Sequence, residues 1–258
     1  MVRSSHTMHR VGEAKLYVIP GSHPSTTARL MLERKGVPYK RVDLIPVVSK
    51  AVLKVQRFPA VTVPALKIDG RRVQGSREIA RELDRISPDD PLFPSDPAAL
   101  AKVEEAERWG DEVLQAKPRR LTWWAFKRSR APMATYSEGA RLGIPVGLAV
   151  KTGGPIVALS ARFNNATDEQ VREDLATLPG DVDRIDGWID DGVMGGENLN
   201  AADLQIATSL RLLMSFEDLR PAIQDRPAGK LAVRAVPDFP GRTPPVFPQE
   251  WLSGFRSD

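Results

Sequence analysis

Val61-Thr62-Val63-Pro64-Ala65-Leu66-Lys67-Ile68-Asp69-Gly70, continued by Arg71-Arg72-Val73-Gln74-Gly75-Ser76, is the stretch around which the chain is organised. Val61 to Ile68 is apolar and β-branched, yet it holds a proline. Proline has no N–H for a ladder and belongs at a strand's first residue, an edge or a bulge. A strand beginning just after Pro64, turning at Asp69-Gly70 and returning through Arg71–Gln74, is a short hairpin. Gly75-Ser76 then opens a helix over Arg77–Leu83, whose first N–H groups and serine hydroxyl suit a carboxylate. If the Val63–Pro64 bond is cis, the N–H and C=O of Val63 stay outside the sheet. An extended, peptide-like ligand then pairs with them as an added strand. Taken alone, the stretch reads equally as an ordinary Pro-initiated hairpin leading into a helix.

The upstream segment narrows this. Lys15-Leu16-Tyr17-Val18-Ile19 is strand-like, and Pro20-Gly21-Ser22-His23-Pro24-Ser25 is a serine-bearing loop that leads into a helix closed by Gly36. Tyr39–Leu44 alternates as a second strand, and Val47–Val55 is a short amphipathic helix carrying Lys50 and Lys54. The order is β-α-β-α-β-β-α. With Val63-Pro64-Ala65-Leu66 and Ser76 thirteen residues after Val63, this combination resembles the glutathione S-transferase family, of the cytosolic, bacterial-like type with a serine active site. The resemblance covers residues 15–86 well and the C-terminal half more loosely. It implies a thioredoxin-like α/β N-terminal domain followed by an all-α C-terminal domain.

Composition sets bounds on chemistry and partners. The chain has 258 residues, 41% of them hydrophobic and 27% charged, which suits a globular protein of one large or two modest domains. No apolar run approaches the roughly 18–20 residues of a membrane span. Residues 1–12 lack a secretory apolar stretch, so a cytoplasmic location is expected. The chain has no cysteine, which excludes disulfides, cysteine metal sites and cysteine nucleophiles. Two of its three histidines, His6 and His9, fall near the start, and no metal site is expected. Net charge is only +4. Basic residues flank Leu121-Thr122-Trp123-Trp124-Ala125-Phe126, but no nucleic-acid motif accompanies them, so neither nucleic acid nor membrane is an expected partner.

Residues 1–14 read as a flexible terminus and 15–86 as the thiol-binding domain. Four prolines between Pro88 and Pro97 make 87–96 a linker. Asp96 caps a long helix that begins at Pro97 and runs to about Ala116. Residues 97–258 read as a helical domain with an irregular insert at about 118–165, the place where substrate selectivity is built and where Trp123 and Trp124 are candidate pocket residues. Asp168 to Asp191 has helical spacing through Val171, Leu175, Leu178, Val182 and Ile185. Asn200 and Asp203 form a capping box, with Leu199 and Leu204 as its staple. The family carries a similar box at its buried central helix. The proline-rich tail from Val236 to Pro248 holds Phe239 and Phe247, which argue that it packs back on the domain.

For the site, the resemblance implies glutathione or another small thiol as cosubstrate, no metal, a small electrophile as second substrate, and a homodimer. It places the catalytic hydroxyl at Ser22. Ser25 is the runner-up, with a plain N-cap as its alternative role, and Tyr17 is a third candidate more suited to the core. It places the cysteinyl unit on the backbone at Val63 and Pro64 and the γ-glutamyl carboxylate on Ser76. Lys50 stands where a base would meet the glycyl carboxylate. Gly75 departs from the acidic or amide residue usual there, so Gln74 or Glu78 would have to hold the γ-glutamyl amine. The activity implied is activation of the thiol for attack on an electrophile. The alternative is a non-catalytic binding or scaffold protein on the same fold.

Overall fold

The computed structural model describes residues 14–255. The expected flexible terminus lies outside these residues except for Ala14. Four strands form one mixed sheet in the order β2-β1-β3-β4. β1 (Ala14–Val18) is parallel to β2 (Tyr39–Asp43) and antiparallel to β3 (Ala65–Ile68), and β4 (Arg71–Gln74) closes the hairpin on β3. α1 (His23–Arg34) crosses from β1 to β2, α2 (Val48–Val55) leads to β3, and α3 (Ser76–Ile86) follows β4. Leu16, Val18, Leu66 and Ile68 meet Ala28, Met31, Leu32, Ile79 and Leu83 on one side of the sheet. Tyr17, Leu44, Leu53, Phe58 and Ala65 pack on the other. This is the period-2 alternation of short strands covered on both faces.

Between α3 and the second domain the proline-rich chain runs through a series of bends, and Lys35 ties it down. The buried Lys35 ammonium pairs with Asp84 and donates to the carbonyls of Ser87, Asp89 and Asp90 at 2.6–3.0 Å.

The rest is helical: α4 (Pro97–Trp109), α5 (Ala116–Arg128), α6 (Met133–Tyr136), α7 (Val146–Thr152), α8 (Gly154–Phe163), α9 (Asp168–Asp190), α10 (Ala201–Met214), α11 (Arg220–Ile223) and α12 (Pro227–Ala235). Two features differ from the sequence reading. The long helix from Pro97 is interrupted by a π turn at Gly110–Leu114, because Gly110 packs directly on α10: a Cβ there would lie 2.8 Å from Ile206 Cγ1. Residues 118–165 are largely helical rather than irregular, with glycine and proline at the joints between short helices.

α10 is the central helix, with nearly every residue buried. Its capping box is complete: Asp203 N–H donates to Asn200 Oδ1 (3.1 Å) and Asn200 N–H to Asp203 Oδ2 (2.8 Å). The second oxygen of Asp203 accepts from Gly195 N–H at 2.7 Å, which anchors the preceding loop. α10 also joins the domains, since Thr208 Oγ1 lies 2.7 Å from Thr27 Oγ1 of α1. A second link is ionic. The fully buried Glu107 of α4 accepts from Arg81 at 2.9 and 3.1 Å and from Arg77 at 3.3 Å, both arginines on α3.

Candidate functional site

Antiparallel pairing brings three loops to one edge of the sheet. Ala65 pairs with Tyr17 on one side and Gln74 on the other. The end of β1, the start of β3 and the end of β4 therefore lie together, and each continues into a segment with unsatisfied backbone groups.

From β1 the chain turns at Pro20-Gly21. Gly21 has φ +72°, and a Cβ there would lie 3.0 Å from Tyr136 O, so both conformation and contact require glycine. Ser22 follows as the N-cap residue of α1, half-buried, but its side chain makes no capping bond. The N–H groups of His23 and Ser25 have no backbone acceptor among the described residues, so the start of α1 presents free donors and the positive end of its dipole. Ser22 and Ser25 both line a cleft of about 460 Å³ with Val18, Ile19 and Thr26. Ser25 is only 4% exposed and its hydroxyl has no partner, so Ser22 is the more open of the two serines. Tyr17 is buried against Phe58, ring edge to face at 5.4 Å, and does not line the cleft.

From β3 and β4 come Val63, Pro64, Gly75 and Ser76. The Val63–Pro64 bond is cis. The N–H and C=O of Val63 have no backbone partner among the described residues. Gly75 N–H donates to Pro64 O at 3.0 Å. Gly75 has φ +91° with open space around the missing Cβ, so conformation rather than crowding explains the glycine. Ser76, at 2% exposure, carries a hydroxyl without a partner at the first turn of α3. None of these residues, nor Lys50, lines the cleft around Ser22; they share its sheet edge.

Contacts within the fold bear on three of the sequence-derived assignments. The Gln74 amide is already committed, Oε1 accepting from Ala60 N–H at 2.6 Å and Nε2 donating to Thr62 O at 2.5 Å. It clamps the loop before Pro64, while Glu78, the other candidate for the ligand amine, is exposed. The Lys50 ammonium sits 3.6 Å from the centroid of the Phe163 ring. Neither Trp123 nor Trp124 lines the cleft around Ser22. Trp124 is 1% exposed, stacks on Phe247 at 5.4 Å and donates Nε1–H to Asp168, while Trp123 packs edge-on against Phe126.

Residues that the sequence left unmarked complete the cleft. Pro237-Asp238-Phe239-Pro240 of the tail lines it too, with Arg29, Arg41 and Glu138. The tail is held in place by Tyr136, whose hydroxyl lies 2.6 Å from Ser215 Oγ and 2.7 Å from Thr243 Oγ1. Arg41 donates to Asp43 (2.7 Å) and to Gly139 O (2.8 Å), so β2 grips the loop after α6. Proline and aromatic content signalled a packed tail, but nothing local said against what.

His23, directly after Ser22, is 2% exposed and lies 3.1 Å from Gln115 O through Nε2. A carbonyl only accepts, so Nε2 carries the proton. Burial, with a smaller push from Arg119, holds the imidazole well below its usual range and keeps it neutral. A depressed folded-state value means that this stabilisation is complete above the unfolded value, about 6.5. It is lost as pH falls below that, by up to about 1.4 kcal/mol per pH unit. His23→Gln retains a donor for Gln115 O and removes the titration. Urea midpoints measured between about pH 7 and about pH 5 should therefore fall less steeply in the variant. Identical slopes would show that His23 is not the group responsible.

Comparison with known proteins bears on the fold that carries this site. Residues 16–91 match the family described as glutathione S-transferase, N-terminal domain. A probable maleylacetoacetate isomerase of Caenorhabditis elegans is 38% identical over 88 residues, a match spanning 33% of this chain and 41% of that protein's length. Among solved structures, β-etherase LigF from Sphingobium sp. strain SYK-6 has a TM-score of 0.57 at 19% identity, over 86% of this chain and 98% of its own. A glutathione S-transferase from Methylobacterium radiotolerans, in complex with glutathione sulfonate, has a TM-score of 0.55 at 19% identity, over 92% and 98%. FzlA from C. crescentus has a TM-score of 0.53 at 18% identity, over 85% of each chain. The sequence match thus falls on the same strands and helices that build the site, and the structural likeness extends over the helical domain. Residues 16–91 thus match the glutathione S-transferase N-terminal domain family, and the chain around them has the glutathione S-transferase fold.

Proposed function

We propose that the protein binds glutathione, or a closely related small thiol, at the shared sheet edge and activates its sulfur for attack on a small electrophile. The observation that carries this reading is the set of unsatisfied groups converging there: the Val63 N–H and C=O, the Ser76 hydroxyl and the capless Ser22. The N–H groups of Ser76, Arg77 and Glu78 also lack backbone acceptors, and a helix start of this kind suits a carboxylate. An extended peptide pairs with Val63 as an added strand. A thiol pKa of about 8.5 leaves few thiolates near neutrality, and the Ser22 hydroxyl with the start of α1 favours the ionised form. The glutathione sulfonate complex of the Methylobacterium relative supports this choice of ligand. A homodimer in the cytoplasm belongs to the same reading.

The commitment of Gln74 to its own loop and of Lys50 to Phe163 favours a second reading, a binding module that keeps the fold without the chemistry. Titration calorimetry with glutathione, followed by the ultraviolet absorbance of bound thiolate, separates the two. Saturable binding with a bound-thiol pKa about one to two units below that of free thiol is the expected result. Binding without a shift supports the module, and no binding removes both the ligand and the reaction.

A further inference from the structure

Of the nine large apolar side chains that are more than one-third exposed among the described residues, seven fall in just two stretches. Val48, Val55 and Val61 lie on or after α2, and Ile144, Leu148, Leu159 and Phe163 lie on or beside α7 and α8. The same two stretches share a second property. The chain holds 33 acidic residues, yet none occurs in 44–68 or in 139–167. The first stretch carries Lys50, Lys54, Arg57 and Lys67, and the second carries Arg141, Lys151 and Arg162.

Tertiary structure joins them. The Lys50 ammonium rests on the Phe163 ring, and Arg41 donates to Gly139 O while Arg141 N–H donates to Asp43 Oδ2 at 2.7 Å. On α2, Val48 and Val55 are seven residues apart and so share a face, 50% and 78% exposed, while Ser49 and Leu53 point inward. Leu159 and Phe163, four apart on α8, share another. α7 buries no side chain at all. The surface therefore carries exposed aliphatic and aromatic groups interspersed with cations, and acidic groups, Asp43 and Glu138 among them, stand just outside the two stretches.

We propose that this α2–α7–α8 surface rests on an anionic lipid interface, with the apolar side chains entering the headgroup boundary and the lysines and arginines meeting lipid phosphates and carboxylates. Apolar groups edged by Lys and Arg are what such a surface selects. A second copy would set cations against cations, which opposes self-association through the same face. A shaped protein partner would more naturally meet a groove than protruding helices. The absence of a long apolar run bears on spanning only; lying on a surface depends on which side chains are exposed. The inference rests on exposure and charge alone and does not depend on the thiol reading.

Co-sedimentation of the full chain with phosphatidylcholine vesicles, with and without about one-third phosphatidylserine, tests it. Partitioning should be about tenfold higher or more on the anionic vesicles and should fall with salt. Leu148→Ser with Phe163→Ser, and separately Lys151→Glu, should each reduce it several-fold with the circular dichroism spectrum unchanged. Equal partitioning to both vesicle types would overturn the proposal. So would full retention by the Leu148→Ser/Phe163→Ser variant, which would reduce the surface to plain charge attraction. Binding of soluble polyglutamate as tight as that of the anionic vesicles would assign the face to an acidic protein instead.

Discussion

Replacing Ser22 with alanine should lower the rate of thiol addition to a small electrophile about ten- to a hundredfold near neutral pH, with glutathione binding nearly unchanged. A hydroxyl bonded to a charged sulfur contributes on the order of 1.5–3 kcal/mol, and that bond exists only when the thiol is ionised. Affinity for the remainder of the peptide depends on groups elsewhere, at Val63 and Ser76. The rate should partly recover at alkaline pH, where solvent ionises the thiol without help. The structure sharpens the control. Ser25 makes no capping bond and its buried hydroxyl is unpaired, so Ser25→Ala should be close to neutral for stability instead of weakening the helix. Steady-state rates across pH for both variants decide the matter. If Ser25→Ala abolishes turnover and Ser22→Ala leaves it intact, the two roles must be exchanged.

The second large effect concerns stability. Glu107→Ala should destabilise the fold by about 2–3 kcal/mol, read as a lower urea midpoint with an unchanged slope. Glu107 is fully buried between the domains, and burial pushes its carboxyl up against the pull of Arg81 and Arg77. Breaking a buried pair from one side costs about 3–5 kcal/mol, because the other charge stays behind. That figure is reduced here, since Arg81 is 37% exposed and also reaches Glu104 at 3.3 Å, where solvent screens what is lost. Glu107→Gln keeps the shape and one acceptor and should lose less. An alanine variant as stable as the parent would show that α3 and α4 are held by apolar packing alone.

Local chemistry made much of the fold legible in the sequence. A proline at the head of a strand, the turn at Asp69-Gly70, the prolines of the linker and the reciprocal cap of Asn200 and Asp203 each act within a few residues. Their reading does not depend on what lies beyond. The serine loop and the α3 start were marked out by the same means, because caps and turns are short-range devices. Gly75 shows where this reasoning stops. Its letter reads as a missing side chain, while its backbone at φ +91° gives the reason for glycine.

Other features were decided by contacts between residues far apart in the chain. Gln74 has two free groups in sequence terms, and only the fold spends them on Ala60 and Thr62. The aromatic pair Trp123-Trp124 suits a pocket or a core equally well. The return of the tail, which stacks Phe247 on Trp124, selects the core for Trp124. The same return brings Pro237–Pro240 into the lining of the cleft that holds Ser22. The π turn depends on how near α10 approaches Gly110. The exposed apolar face of α2, α7 and α8 has the same composition as a buried one. By itself, the sequence of this protein determined the elements of residues 15–86, their order and the hydroxyls available for chemistry, because propensity, capping and turn geometry are local. Tertiary structure alone decided which of those groups remain unpaired and which faces meet solvent, because pairing and burial are properties of surfaces brought together by folding.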